Sequence, residues 1–154
     1  MGSFYCYISS DDSKALYTDN SYFDFIVQFP SYIKLEESCS LGWKQYWHIG
    51  ITEISLILDT QRSITSLPTS CVILCNLLSE SYLRGSYAPV LRILPGGTEL
   101  SASLGSVYYK QVHSNAQSFN ELRIQIKDPD LKPLAFEKWP RNAKISMTLH
   151  FMKG

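Results

Sequence analysis

The sequence predicts an all-β fold, a single jelly-roll β-sandwich of two packed sheets, and three observations predict it. Apolar and polar residues alternate at period two through most of the chain, the signature of half-buried strands. Turn signals separate these runs at short intervals, and no stretch of ten residues or more has a convincing amphipathic helical period. The 154 residues are 45% apolar and 18% charged, with ten Tyr, seven Phe and three Trp. That balance suits a folded β domain and is unlike a disordered chain or a coiled coil.

The first clear run is Tyr22 to Phe29, where Phe23, Phe25, Val27 and Phe29 share one parity and Asp24 and Gln28 the other. Pro30 is expected to end it, with Ile33 and Leu35 resuming the pattern. In the next run Trp47, Ile49 and Ile51 hold one parity and Ile54, Leu56 and Leu58 the opposite one. Such a phase slip at Thr52 and Glu53 is what a β-bulge produces, because one extra residue resets which side faces the core. The stretch from Gln61 to Ser70 is polar, contains Pro68 and reads as a loop.

Cys71 to Leu78 is almost continuously apolar, as expected of a strand covered on both faces. Ser79 to Ser86 interrupts with Gly85, Tyr87 to Leu94 reads as a further strand, and Pro95-Gly96-Gly97 stops it with a strong turn signal. Val107 to Val112 is a weaker strand. Leu122, Ile124 and Ile126 then alternate with Arg123, Gln125 and Lys127, up to the turn Asp128-Pro129-Asp130. A short piece around Leu134 and Phe136 is expected to pair nearby. The last strand sets Ile145, Met147, Leu149 and Phe151 against Lys144, Ser146, Thr148 and His150.

Seven to nine short strands in 154 residues, with no internal repeat and no low-complexity linker, predict one domain over residues 1–154. Residues 1–20 are expected to form an N-terminal arm or the first edge strand. A chain of this length buries roughly 70% of the surface its unfolded form exposes, so it needs no metal or disulfide to fold.

Fourteen basic and fourteen acidic residues leave a net charge of zero, without the basic excess of a phosphate-gripping protein. Nucleic acid is therefore not an expected partner. The start, Met1-Gly2-Ser3-Phe4-Tyr5-Cys6, has neither the basic nor the apolar region of a signal peptide. It matches a myristoylation signal only weakly, with Cys6 where Ser or Thr is preferred. No apolar run approaches the ~20 residues of a membrane span. Membrane is thus not expected as a partner, and residence in the cytosol or nucleus is. In that compartment the four cysteines read as reduced, buried apolar groups; Cys71 and Cys75 share a strand face without completing a zinc motif.

No active site is visible: no catalytic, cofactor-binding or metal-binding residue is assigned, no cofactor is expected, and the chain reads as a non-enzyme. His48, His113 and His150 stand in separate segments, and no Gly-x-Ser-x-Gly elbow occurs. Pro95-Gly96-Gly97-Thr98 lacks the lysine and spacing of a phosphate loop. Asp11-Asp12, Glu36-Glu37 and Asp128/Asp130 lie in turns, where Asp commonly bonds its own backbone. Glu53 is the one acidic residue inside an apolar strand; it reads as a bulge or edge residue, and if buried it would need a partner such as Arg92 or Arg123. Phe23, Phe25, Phe29, Trp47 and Phe151 follow core parity, whereas Tyr82, Tyr87, Tyr108, Tyr109 and Trp139 are expected near loops, free to make contacts.

Four segments carry a family resemblance. Phe25-Ile26-Val27-Gln28-Phe29-Pro30 with Ile33-Lys34-Leu35, leading to Trp47-His48-Ile49-Gly50-Ile51-Thr52-Glu53-Ile54, resembles the extended strand and W-x-V-G-L-x-E-I opening of penton (vertex capsid) proteins of Polinton (Maverick)-type viruses and their adintovirus and adomavirus relatives. Tyr87-Ala88-Pro89-Val90-Leu91-Arg92-Ile93, within Gly85 to Pro95, is similar to that group's G-D-x-x-A-P-L-L-R segment, with Ser86 where an Asp is usual. Phe119 to Asp128 resembles its F-x-x-I-x-I-x-I-x-D strand, and Met147 to Lys153 its V-x-L-H-F-R terminus.

The resemblance implies a capsid structural protein of the virion, a penton-like single jelly roll forming homopentamers at icosahedral vertices. Its partners would be copies of itself, the neighbouring major capsid protein, and a fibre or host receptor. Assembly would occur in the host nucleus or cytoplasm, without secretion. The residues themselves leave an alternative open: an attachment, lectin-like or peptide-binding β-sandwich module. They place no side chain at an interface.

Overall fold

The computed structural model describes residues 2–35, 38–40, 43–58, 62–100, 104–113 and 116–154. Twelve strands occur among them: β1 (Ser3–Ser9), β2 (Asp24–Lys34), β3 (Ser38–Ser40), β4 (Trp43–Gln45), β5 (Trp47–Leu58), β6 (Cys71–Cys75), β7 (Ser81–Leu83), β8 (Ser86–Ala88), β9 (Val90–Leu94), β10 (Lys110–Gln111), β11 (Ser118–Lys127) and β12 (Ala143–Lys153). No α-helix occurs among the described residues.

Eight strands build the sandwich. One sheet has the order β1-β12-β5-β10 and the other β2-β11-β6-β9, while β3-β4 and β7-β8 are separate hairpins. Every pair is antiparallel. The partnerships are nested: β1 with β12, β2 with β11, β5 with β10 and β6 with β9. Counting the eight sandwich strands in chain order, first pairs with last, second with seventh, and so inward. This is one long antiparallel ribbon rolled over itself, the jelly-roll topology. Residues 3–9 take the first edge, as β1 beside β12.

The core lies between the two sheets and follows the predicted parity. Phe25, Ile51, Ile124, Ile126 and Leu149 are all buried, as are Ile145, Met147 and Phe151. Phe23 and Phe29 are partly buried and pack against this core. Across the gap, Phe119 of β11 stacks on Phe151 of β12 with centroids 5.7 Å apart, and Phe151 also stacks on Phe4 of β1 at 4.7 Å. Strand β6 is covered on both faces, as its apolar run predicts. Cys71, Ile73 and Cys75 enter the main core. Val72 and Leu74 point outward, under Ala88, Val90, Leu83 and Leu131.

The phase slip at Thr52 is a bulge. Ile51 faces Leu149 and Glu53 faces Thr148, so Thr52 is the extra residue. Its hydroxyl donates to the Thr148 carbonyl at 3.3 Å. On either side of it Trp47, Ile49 and Ile51, then Ile54 and Leu56, are buried.

Several boundaries differ from expectation. Pro30 does not end its strand: β2 runs on to Lys34, and Gln28 faces Glu121 while Ile33 faces Phe119. Residues 29–32 therefore stand opposite Asn120 alone, an irregularity that tolerates a residue with no N–H to offer. The Cys71 strand stops at Cys75, where Asn76 and Leu77 turn. The interruption around Gly85 is itself the β7–β8 hairpin, with Arg84 and Gly85 both at positive φ (45° and 88°), the geometry of a tight two-residue turn. Pro89 divides the Tyr87 run into β8 and β9. In the 107–112 segment Lys110 and Gln111 pair with β5, and the Val112 amide donates to the Trp47 carbonyl at 2.8 Å. Leu134 and Phe136 pack on the core without forming a strand. Thr148 has outward parity yet is 7% exposed, because its cross-strand neighbours cover it.

Gly50 has a specific task in this fold. A Cβ there would meet Val107 Cγ1 at 2.6 Å, Tyr109 Cδ1 at 3.1 Å and the Tyr108 carbonyl oxygen at 3.2 Å. The missing side chain lets the 107–109 segment lie against β5. Gly50→Ala is expected to destabilise the protein by about 1–3 kcal/mol through overpacking. Leu149→Ala, which empties a fully buried site, is expected to cost about 2–5 kcal/mol. Urea midpoints measured at unchanged slope test both values, and a Gly50→Ala protein as stable as wild type would show that the segment is not held there.

Candidate functional site

Cross-strand register sets three rows on the outer face of the β1-β12-β5-β10 sheet. Ser9, Ser146 and Ser55 form one row; Tyr7, Thr148 and Glu53 the next; Tyr5, His150 and Gly50 the third. The serines and Thr148 make a low floor, and the two tyrosines stand above it, Tyr5 53% and Tyr7 76% exposed. The result is a shallow trough of roughly 330 Å³ with Tyr7 and Glu53 on opposite walls and Asp12 also lining it.

The third row is rigid. Tyr5 stacks on His150 at 4.4 Å, nearly parallel, and the Tyr109 hydroxyl lies 2.7 Å from His150 Nδ1. Because Gly50 has no side chain, Tyr109 reaches over β5 to make that contact. The bulge at Thr52 aims Glu53 outward: it is exposed, and no hydrogen bond or ion pair holds it among the described residues. Glu53 is therefore not the buried carboxylate that would have needed Arg92 or Arg123. Arg123 makes a two-pronged contact with Asp24 at 2.9 and 3.0 Å. Arg92 lies over the Tyr108 ring at 4.3 Å and donates to the Ser106 carbonyl at 2.7 Å.

The other predicted residues do not converge. His48 and His150 are half-buried on the outer face, and His113 is exposed on a separate segment. Asp12 accepts from the Ser9 amide, and Asp128 from the Asp130 and Lys132 amides, the local backbone role expected of turn aspartates. Glu36-Glu37 and the Cys39 side chain lie outside the described residues. Gly96 and Gly97 turn the chain, with the Thr98 hydroxyl closing back on the Pro95 carbonyl at 2.6 Å. Among the described residues, no three His, Cys, Asp or Glu side chains gather as a metal site would require.

Tyr82, Tyr87 and Tyr108 are exposed, as expected near loops. Trp139 corrects that expectation. It is 3% exposed, with its indole N–H donating to the Thr69 hydroxyl at 2.8 Å. A buried Trp needs a partner for that N–H, and the loop ending at Ser70 supplies it. Tyr5 and Tyr7 were not anticipated as surface aromatics. The alternation of Phe4, Cys6 and Ile8 with Tyr5 and Tyr7 is the signal that could have found them, since Cys6 and Ile8 are buried.

The opposite sheet has part of its edge and outer face covered by the chain itself. The 10–20 segment lies along β2: Asn20 exchanges hydrogen bonds with the Ile26 backbone, and Ser13 accepts from the Gln28 amide. The Tyr17 hydroxyl donates to Glu121 of β11. The β7–β8 hairpin covers β6 and β9.

No protein-family model matches this chain, and no curated protein matches its sequence.

Burial pushes the thiols of Cys71 and Cys75 up to about 12 and that of Cys6 up to about 11, from a usual value of 9.0, because the thiolate is poorly solvated in the core. The folded protein therefore holds these protons more tightly than the unfolded chain. Stability is independent of these groups below pH 9 and falls as pH rises from about 9 towards 11–12. Thermal melts across that window are expected to show the decline, with a shallower slope in Cys71→Ala/Cys75→Ala. At pH 8 a thiol reagent is expected to leave Cys6, Cys71 and Cys75 unmodified until denaturant is added. Rapid labelling of the native protein at any of the three would contradict their burial.

Proposed function

We propose that this chain is a capsid structural protein, a penton-like single jelly roll whose homopentamers occupy the vertices of an icosahedral virion. The observation that carries the reading is where the resembling segments fall. They coincide with β2, β5, β9, β11 and β12, five of the eight sandwich strands, and with the end of β8. A resemblance scattered over loops would have little structural meaning; one that follows the strands of a complete jelly roll is coherent. Jelly rolls of this size serve viral capsids and lectins alike, so fold alone does not choose between them.

The physical demands of a vertex also agree with the chain. A ring of identical subunits needs a stiff framework and two different surfaces that meet around the axis. A framework of eight strands supplies the first. A net charge of zero sets up no overall repulsion between copies. The neighbouring major capsid protein, and a fibre or receptor at the outer end, complete the proposed partners.

Particle reconstruction tests the reading. Density for this chain is expected around the five-fold axes, with five copies per vertex. Its placement at another symmetry position, or its absence from purified particles, would end the penton assignment. A purified chain that stays monomeric at high concentration while binding glycans or peptides would favour the attachment-module alternative.

A further inference from the structure

The two outer faces of the sandwich differ in a way that suits them to each other. On one side the β1-β12-β5-β10 sheet presents the trough between Tyr7 and Glu53. On the other the β7–β8 hairpin projects. In that hairpin Leu83 and Ala88 turn towards β6 and β9. Tyr82 and Tyr87, a cross-strand pair of the opposite parity, turn away from the molecule. They are 67% and 69% exposed, and they brace each other edge to face at 5.5 Å. A short hairpin with a tight turn at Arg84-Gly85 holds them as a preformed knob, so little side-chain freedom remains to be lost on docking.

From this geometry we infer that the Tyr82/Tyr87 knob of one copy docks in the Tyr7–Glu53 trough of the next copy. The occupant is a second copy of this chain, for three reasons. The knob and the trough lie on opposite faces, so the contact is heterologous and propagates around an axis without being self-complementary. Their charges are complementary. Glu53 has no partner among the described residues, and the knob's turn carries Arg84, which among the described residues pairs with exposed Asp130. A surface pair of that kind is worth little and is readily exchanged.

Third, the area is sufficient to seed an interface. Burying the exposed parts of Tyr7, Tyr82 and Tyr87 would remove on the order of 400 Å² from water. That is about a quarter of a standard interface of ~1,600 Å², concentrated in the residue type enriched at interface centres. Closure of the ring at five copies rests on the capsid reading above; the knob-in-trough contact does not.

The test uses the full chain with Cys39→Ser, so that the native thiols remaining are the buried Cys6, Cys71 and Cys75. Combining Tyr7→Cys and Tyr87→Cys in one chain is expected to give, on mild oxidation, a ladder of covalent oligomers ending in a closed ring. Either variant alone is expected to stay uncross-linked, and a mixture of the two single variants to stop at dimers. By sedimentation, Tyr7→Ala and Tyr87→Ala are each expected to weaken self-association at least tenfold. Their combination should lose less than the product of the two, because both remove the same contact. Unchanged circular dichroism and melting in these surface variants would show that folding is intact.

Cross-linking of Tyr7→Cys with itself would mean that like faces pair, which overturns the inference. So would a trough that binds a neutral glycan on a monomeric chain and loses it with Tyr7→Ala. Pentamers that form normally but yield no Tyr7–Tyr87 cross-link would overturn the contact while leaving the capsid reading in place.

Discussion

The pairing of β12 with β5 is the contact on which the other parts of this structure depend. It is the longest ladder in the molecule, eleven residue pairs from Ala143–Leu58 to Lys153–Trp47, and it joins the last strand to the middle of the chain. Strand β12 lies between β1 and β5, so without it the N-terminal strand has nothing to pair with and the sheet falls into fragments. The same strand carries Ile145, Met147, Leu149 and Phe151 into the core, where Phe151 stacks on Phe119 of the facing sheet. A long-range ladder of this kind is slow to close, because loop entropy is lost before the hydrophobic contacts are gained. Its register is well specified, since slipping by one residue would expose all four apolar side chains.

The bulge at Thr52 links that ladder to the outer surface. One extra residue keeps both Ile51 and Ile54 inside, although three positions separate them, and turns Glu53 to solvent opposite Thr148. Gly50, two residues earlier, leaves room for the 107–109 segment and so for the Tyr109–His150 hydrogen bond. The trough is thus a consequence of how β5 solves its packing problem. Its rim, floor and the Glu53 carboxylate come from three strands that are far apart in sequence, and Asp12 of the turn after β1 lines it beside them.

The two faces have different relationships to solvent. In the β2-β11-β6-β9 sheet the 10–20 segment caps the free backbone edge of β2, and the β7–β8 hairpin seals apolar Val72 and Leu74 on the outer side of β6. The other sheet has Ser9, Ser146, Ser55 and Thr148 facing outward in adjacent rows, with Tyr7 and Glu53 beside them. A patch floored by Ser and Thr tolerates water and can also admit a protruding partner, because short side chains lose little entropy on contact.

What the sequence determined by itself was everything carried by period. The alternation of Phe25 with Asp24, or of Leu122, Ile124 and Ile126 with Arg123 and Gln125, gives inside and outside directly, since a strand has only two faces. The Thr52 slip and the two-sided burial of Cys71 to Cys75 were legible for the same reason. Strand ends were less so: Pro30 lies in an irregularity that only the facing β11 defines, and Pro89 breaks a run that looks continuous. The tertiary structure alone decided which strands pair, because nested partnerships such as β1 with β12 join residues more than a hundred positions apart, and pairing leaves no local mark. It also decided the fate of Trp139, whose burial depends on a hydroxyl at Thr69, and the meeting of Tyr7, Thr148 and Glu53, which no spacing in the chain foretells.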